Sequence, residues 1–250
     1  MIKELGLQLW SVRDHLGSAE DIANTMKKLK EIGYDSVQTA GVSIPYKDFA
    51  DAVHSAGLTV CGTHCNLDEM MKDVEQTMEN HRILDTKFIG IGGYGVSSAD
   101  DVKAFIKKAN EFADIIYEHG FKFTYHNHSR EFVKYGDKTI MDMLVEGLDP
   151  VKTSFCLDTY WLQNAGGDVC DWIEKLDGRI DILHLKDMAV KGDESYITEI
   201  GNGNMNFEKI IAAAEKIGVK HYVVEQDYWP GDSMESVAQS SKYIHEKFMK

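Results

Sequence analysis

The chain has 250 residues, a 43% apolar content and only three prolines, enough to build one large domain with a substantial core. Forty-one acidic against 27 basic residues give a formal charge of −14, a field that repels a phosphate backbone, so nucleic acid is not an expected partner. No window approaches the roughly 18 consecutive apolar residues of a membrane span, and MIKELGLQLW lacks the regions of a secretory signal, so the chain reads as soluble and cytoplasmic.

Taken in chain order, strands are expected over residues 5–10, 36–39, 58–63, 88–91, 121–126, 154–158, 180–184 and 222–225. Between them one phrase recurs: an amphipathic helical stretch, a glycine, then an apolar run. It stands around Gly33 (KKLKEIGYDSV), Gly57 (DAVHSAGLTVCG), Gly120 (DIIYEHGFKFTY) and Gly218 (AAEKIGVKHYVV). A helix that ends on a left-handed residue favours glycine there. Helix starts carry N-cap spacing at Ser18 with Asp21, Asn66 with Glu69, Ser98 with Asp101, and Asp232 with Glu235. Eight strands alternating with helices predict a single (β/α)8 TIM barrel over residues 1–250. An open doubly wound sheet would place a Gly-rich turn after its first strand, and SVRDHLGS there has no GxGxxG. Cys61, Cys65, Cys156 and Cys170 show no CxxC or zinc-ribbon spacing and read as reduced, structural residues.

In such a barrel the C-terminal strand ends build the active site. Four apolar runs end there in a polar side chain: FKFTYHNH in His126, TSFCLDTYW in Asp158, IDILHLKD in His184 and HYVVEQD in Glu225. Two imidazoles and two carboxylates converging on one mouth predict a divalent-metal site. Each has an ordinary alternative, since Asp158 could cap the next helix and Glu225 could pair with Lys186. Four separate explanations at four equivalent strand ends weigh less than one metal, which also removes the cost of buried unpaired carboxylates. Other mouth groups are His64, the loop Gly92–Gly95, Gln38, Lys186, Asp187, Gln226 and Asp227. Trp10, Asn127, His128, Trp161 and Glu199 are the candidate substrate contacts. EIGNGNMNF, from Glu199 to Phe207, reads as a turn before an N-cap at Asn206, with an anion cradle as the alternative. DESYIT before it reads as an exposed loop.

GLQLWSVRD, YHNHSREF, LDTYW, HLKD, EIGNG and VVEQD stand in order at barrel spacing. On these segments the chain resembles the xylose isomerase-like TIM-barrel superfamily of sugar (phosphate) isomerases and epimerases over essentially its whole length. The resemblance implies a divalent cation, manganese first, with Co2+, Zn2+, Fe2+ or Mg2+ as alternatives. Asp158, His184 and Glu225 match the family's ligands. His126 stands where the epimerases place a glutamate, a variant nearer the branch of inosose dehydratases and enzymes of keto-sugars. The implied activity is isomerisation or epimerisation of a sugar or keto-sugar by proton abstraction next to a carbonyl through an enediolate. Glu225 would be the base, and Lys186 or His64 a proton donor. The alternative is a metal-dependent lyase acting on an inosose or a 3-keto-glycoside. The superfamily's apurinic-endonuclease chemistry fits less well, given the −14 charge and one carboxylate per strand end. Rim aromatics would suit a homodimer.

Overall fold

The computed structural model describes residues 1–249. Among them, eight parallel strands form one sheet: β1 (Leu5–Gln8), β2 (Ser36–Thr39), β3 (Thr59–Thr63), β4 (Phe88–Ile91), β5 (Lys122–His126), β6 (Thr153–Asp158), β7 (Ile180–Leu185) and β8 (His221–Val224). Their spatial order is β3-β2-β1-β8-β7-β6-β5-β4, the order of a (β/α)8 barrel opened between β3 and β4. That seam is bridged where the Cys65 amide donates to Gly90 O at 2.8 Å and the Gly90 amide donates to the Thr63 hydroxyl at 3.3 Å.

The helices begin and end where local chemistry puts them. Ser18, Asn66, Ser98 and Asp232 each accept a hydrogen bond from the amide three residues on, satisfying one of the amides that a first turn leaves free. Gly33 ends the first helix at φ 109, a conformation that costs a residue with a Cβ. The first strand stops at Gln8, two residues earlier than expected, because Leu9–His15 turn into a 3-10 helix whose first free amide, that of Trp10, is taken by the Gln8 side chain.

Side chains alternate across each strand, and the alternation sorts two environments. Leu5, Leu7, Phe123, Tyr125, Phe155, Leu157, Leu183, Leu185, Tyr222 and Val224 belong to the main core with the helices. The intervening residues of the same strands line the barrel interior, whose apolar plug is Cys61, Cys156, Ile182 and Val223 with Phe88 against it. The structure pairs none of the four cysteines. Gly90 sits where a Cβ would overlap the Thr63 carbonyl oxygen and the Thr124 hydroxyl. Gly90→Ala is therefore expected to cost about 1–3 kcal/mol and to lower the thermal midpoint by several degrees, read by calorimetry.

One expectation is corrected. DESYIT is not a loop: Glu194–Thr198 pairs antiparallel with Asp187–Lys191, and Ile197 and Thr198 are buried. ESYIT and DMAVK do not alternate polar with apolar residues, and the sequence signal for this hairpin is the strand-favouring Tyr196, Ile197 and Thr198 after a turn at Gly192, whose φ is 62. No helix among the described residues is long and apolar enough to cross a membrane.

Candidate active site

Period-2 alternation delivers the site. His126 ends β5, Asp158 ends β6, His184 lies on β7 and Glu225 follows β8, all on the interior face above the apolar plug. Asp158 and His184 are direct neighbours in the sheet, and the Glu225 amide continues the ladder by donating to Leu185 O at 3.1 Å. The four side chains are buried, and one ligand atom from each lies within 4.8 Å of all the others. His184 Nδ1 is 2.8 Å from Glu225 Oε2 and 3.7 Å from Asp158 Oδ2. His126 Nε2 is 3.4 Å from Asp158 Oδ2 and 3.6 Å from Glu225 Oε2. An ion bound at roughly 2.0–2.2 Å to each donor fits that spread.

Asp158 carries two roles on two oxygens. Oδ1 caps the following helix by accepting from the Trp161 amide at 2.9 Å, while Oδ2 faces the imidazoles. Lys186 is fully buried among carboxylates: its Nζ is 3.0 Å from Asp158 Oδ2, 2.8 Å from Glu225 Oε2 and 2.7 Å from Asp227 Oδ2. Burial opposes the charge of Lys186, yet these three carboxylates outweigh it and raise its pKa. In return, and against their own burial, Asp158 and Glu225 are held well below the usual carboxylate range by Lys186 and the two imidazoles. Burial also disfavours the His184 imidazolium, but the Cys156 sulfur and the Glu225 and Asp158 carboxylates keep its pKa well above the ordinary value. With three carboxylates and one ammonium, the cluster draws positive charge from whatever source is at hand.

Two glutamines below the mouth orient the rings. Gln38 Oε1 accepts from Gln8 Nε2 at 2.9 Å and lies 2.5 Å from His184 Nε2. A proton on that nitrogen leaves His184 Nδ1 as the free ligand atom facing the carboxylates. Gln8 Nε2 also lies 3.2 Å from His64 Nδ1, so its second hydrogen is donated there and His64 carries its proton on Nε2. Burial, with His126 and His184 beside it, pushes the His64 pKa well below the ordinary value. His64 is thus a neutral ring whose Nε2–H has no partner among the described residues.

A cavity of about 250 Å³ opens onto these groups, lined by Trp10, His64, His126, His128, Glu225 and Asp227 among others. Of the candidate substrate contacts, Trp10 and His128 therefore face it. Burial, with the charges of His126 and Arg130 nearby, pushes His128 down to about 3. Asn127 is buried, and its Oδ1 accepts from the Asp158 amide at 2.9 Å, so it sets the backbone of a candidate ligand. The Trp161 ring stands 5.4 Å from His128 and 5.2 Å from Lys186 Nζ. Glu199 stands apart: Oε1 takes hydrogen bonds from Ser236 (2.8 Å) and Gln226 (3.4 Å), Oε2 from Thr198 (3.0 Å) and Asn202 (3.2 Å). Those bonds tie the hairpin, the turn and the last helix together.

The Gly/Asn-rich turn is an anion cradle, and its anion is internal. The amides of Gly201 and Gly203 donate to Asp187 Oδ2 at 2.9 and 3.0 Å, and that of Met205 to Oδ1 at 3.3 Å. Burial pushes the Asp187 pKa up while these amides hold it down. Asn206 caps the next helix as expected. The residues the sequence left without a role are Asp227, which binds Lys186, and the pair Gln8 and Gln38. Asp227 carried a signal, since it follows Glu225 by two residues and shares its side of the chain. Gln38 carried only its place near a strand end, and Gln8 carried no signal, being an isolated amide in an apolar strand.

The family model described as xylose isomerase-like TIM barrel matches residues 26–246. An inosose dehydratase of Clostridium perfringens (strain 13 / Type A) is 23% identical over 228 residues, 84% of this chain and 71% of that protein. A sugar phosphate isomerase/epimerase structure from Parabacteroides distasonis ATCC 8503 superposes with a TM-score of 0.84 at 25% identity, covering 100% of this chain and 96% of that one. A D-allulose 3-epimerase structure from Methylomonas sp. in complex with D-allulose shares the fold, with a TM-score of 0.75 at 15% identity over 99% of this chain and 98% of that one.

Proposed function

The chain belongs to the xylose isomerase-like TIM-barrel family, and from that membership we propose a divalent-metal enzyme that removes a proton next to the carbonyl of a keto-sugar. The charge of the buried cluster carries the proposal. Asp158, Glu225 and Asp227 surround the single ammonium of Lys186; with both imidazoles neutral, as ligands would be, two negative charges are in surplus, and a dication would neutralise them in place of a proton on His184. His126, Asp158, His184 and Glu225 would hold it, a mixed N/O set that accepts Mn2+, Co2+, Zn2+, Fe2+ or Mg2+. The family resemblance puts manganese first. When bound, the ion supplies Lewis-acid polarisation of the substrate carbonyl.

The chain's own groups then divide the proton work. Glu225 Oε2 already meets an imidazole and an ammonium, which commits it to the cation. Asp227 lines the same cavity, and its carboxylate accepts a hydrogen bond from Lys186 alone, while its backbone carbonyl accepts from Arg13. Its pKa is raised by burial and by the Glu225 charge, against the pull of Lys186. We assign proton removal to Asp227 in place of Glu225, with Lys186 and the His64 Nε2–H as donors to substrate oxygens. Asp227→Asn is expected to keep the metal and lose turnover, whereas Glu225→Gln should lose both. A metal-loaded but inactive Glu225→Gln protein would return the base to Glu225.

Elimination of a β-oxygen substituent needs one base and one acid, and here these roles fall to Asp227 on the cavity wall and to Lys186 hydrogen-bonded behind it. Epimerisation through opposed carboxylates needs a second carboxylate where His126 stands. The relative named inosose dehydratase is consistent with elimination. Isomerisation, the second reading, draws on the full-length superposition with the Parabacteroides distasonis structure. Incubating the Mn2+-loaded protein in D2O with ketoses, inososes and 3-keto-glycosides separates the two by NMR. Deuterium should enter next to the ketone, and elimination additionally releases water or an alcohol. No exchange and no product across that panel would sink the proposal.

A further inference from the structure

Behind Trp161 lies a second, larger cavity that the proton chemistry leaves unused. It measures about 640 Å³, against about 250 Å³ on the metal side. Its walls come from Tyr160 and Trp161 after β6, Tyr196 and Thr198 on the hairpin, and Tyr228 and Trp229 after β8. One feature of this wall is unaccounted for by packing: Tyr228 is 71% and Tyr196 45% exposed, and bare aromatic rings around a concavity usually mark a binding surface.

The two cavities share their partition. Trp161 stacks near His128 on the metal side. The Arg13 guanidinium lies 4.5 Å from both Trp10, which lines the small cavity, and Trp229, which lines the large one. The metal-side space matches a single sugar ring, whereas the second falls within the roughly 300–1,000 Å³ of sites that enclose drug-sized molecules. Several aromatic faces around one space suit a flat apolar group. A phosphate has no cradle in the neighbouring turn, whose amides are given to Asp187.

We propose that this cavity binds a flat aromatic substituent carried by the sugar, so that the substrate class is an aryl-bearing keto-glycoside. The assignment deepens, and rests on, the keto-sugar reaction proposed above. The test is calorimetric binding to the Mn2+-loaded protein of 4-methylumbelliferone, its 3-keto-β-glucoside, methyl 3-keto-β-glucoside and 3-ketocellobiose. The umbelliferyl glycoside should bind about tenfold more tightly than the methyl and cellobiose compounds, the worth of one or two aromatic contacts. The double variant Tyr196→Ala/Tyr228→Ala, at two exposed positions that hold no core together, should erase that advantage and leave methyl-glycoside binding unchanged. Equal affinities, an aryl preference that survives the double variant, or no saturable binding of either aryl compound would each overturn the assignment. An equal gain from the second sugar ring would overturn its aromatic part. An aryl preference erased by the variant but without D2O exchange would uphold the cavity and sink the reaction; exchange without aryl preference would do the reverse.

Discussion

Lys186→Met is expected to lower turnover by about 10²–10⁴-fold at saturating Mn2+, the usual worth of a positioned acid or base. The side chain is fully buried, and its ammonium touches one oxygen each of Asp158, Glu225 and Asp227. Methionine retains the length and apolar stem and removes the charge, so the packing beside Trp161 is preserved. Without metal the variant leaves three carboxylates facing one another, and breaking a buried pair in this way typically costs about 3–5 kcal/mol. Its thermal midpoint should therefore fall in chelator and recover on adding Mn2+ by a larger increment than in the unaltered protein. Melting curves with and without Mn2+, alongside kcat, separate the lost proton transfer from lost stability. Near-full turnover in Lys186→Met would remove this residue from the chemistry.

Asp158→Asn should weaken Mn2+ binding by more than the ~10–100-fold typical of losing an outer-shell partner, with little loss of helix stability. The reason is the division of labour between its oxygens. Oδ1 caps the helix through the Trp161 amide, and an asparagine carbonyl caps as well as an aspartate. Oδ2 faces both imidazoles and Lys186, and there asparagine loses the charge. Asp158→Ala should lose the metal and about a further 1 kcal/mol from the missing cap. Titration of free Mn2+ by electron paramagnetic resonance, with calorimetry for the cap, reads the two effects apart. Unchanged Mn2+ affinity in Asp158→Asn would rule out the four-residue cluster as the metal site.

Much of this arrangement is local and therefore legible along the chain. The caps at Ser18, Asn66, Ser98 and Asp232 bond the amide three residues ahead, and Gly33 ends its helix with backbone geometry alone. Strand parity is local too. Once Phe155 and Leu157 face the helices, Cys156 and Asp158 must face the barrel, and the same holds for His184 between Leu183 and Leu185. The missed features differ in kind. The hairpin of Asp187–Lys191 with Glu194–Thr198 is local, but its strands lack the polar-apolar alternation that distinguishes a strand from a loop, whereas Asp187 meets its amides 14 to 18 residues away.

The sequence by itself determined the barrel, its strand ends and the four side chains that converge on one mouth, because helix period, capping and two-residue strand alternation act within a few residues. Tertiary structure alone decided how those side chains are used. Barrel closure set which Asp158 oxygen caps and which faces the cluster, and placed Lys186 against three carboxylates rather than one. It turned the amides of the glycine-rich loop onto Asp187, drew Glu199 into a structural tie, and left aromatic rings facing an open chamber beside the buried charges. The long-range hydrogen bonds behind those outcomes join residues 14 to 41 positions apart, which only the folded barrel brings within reach.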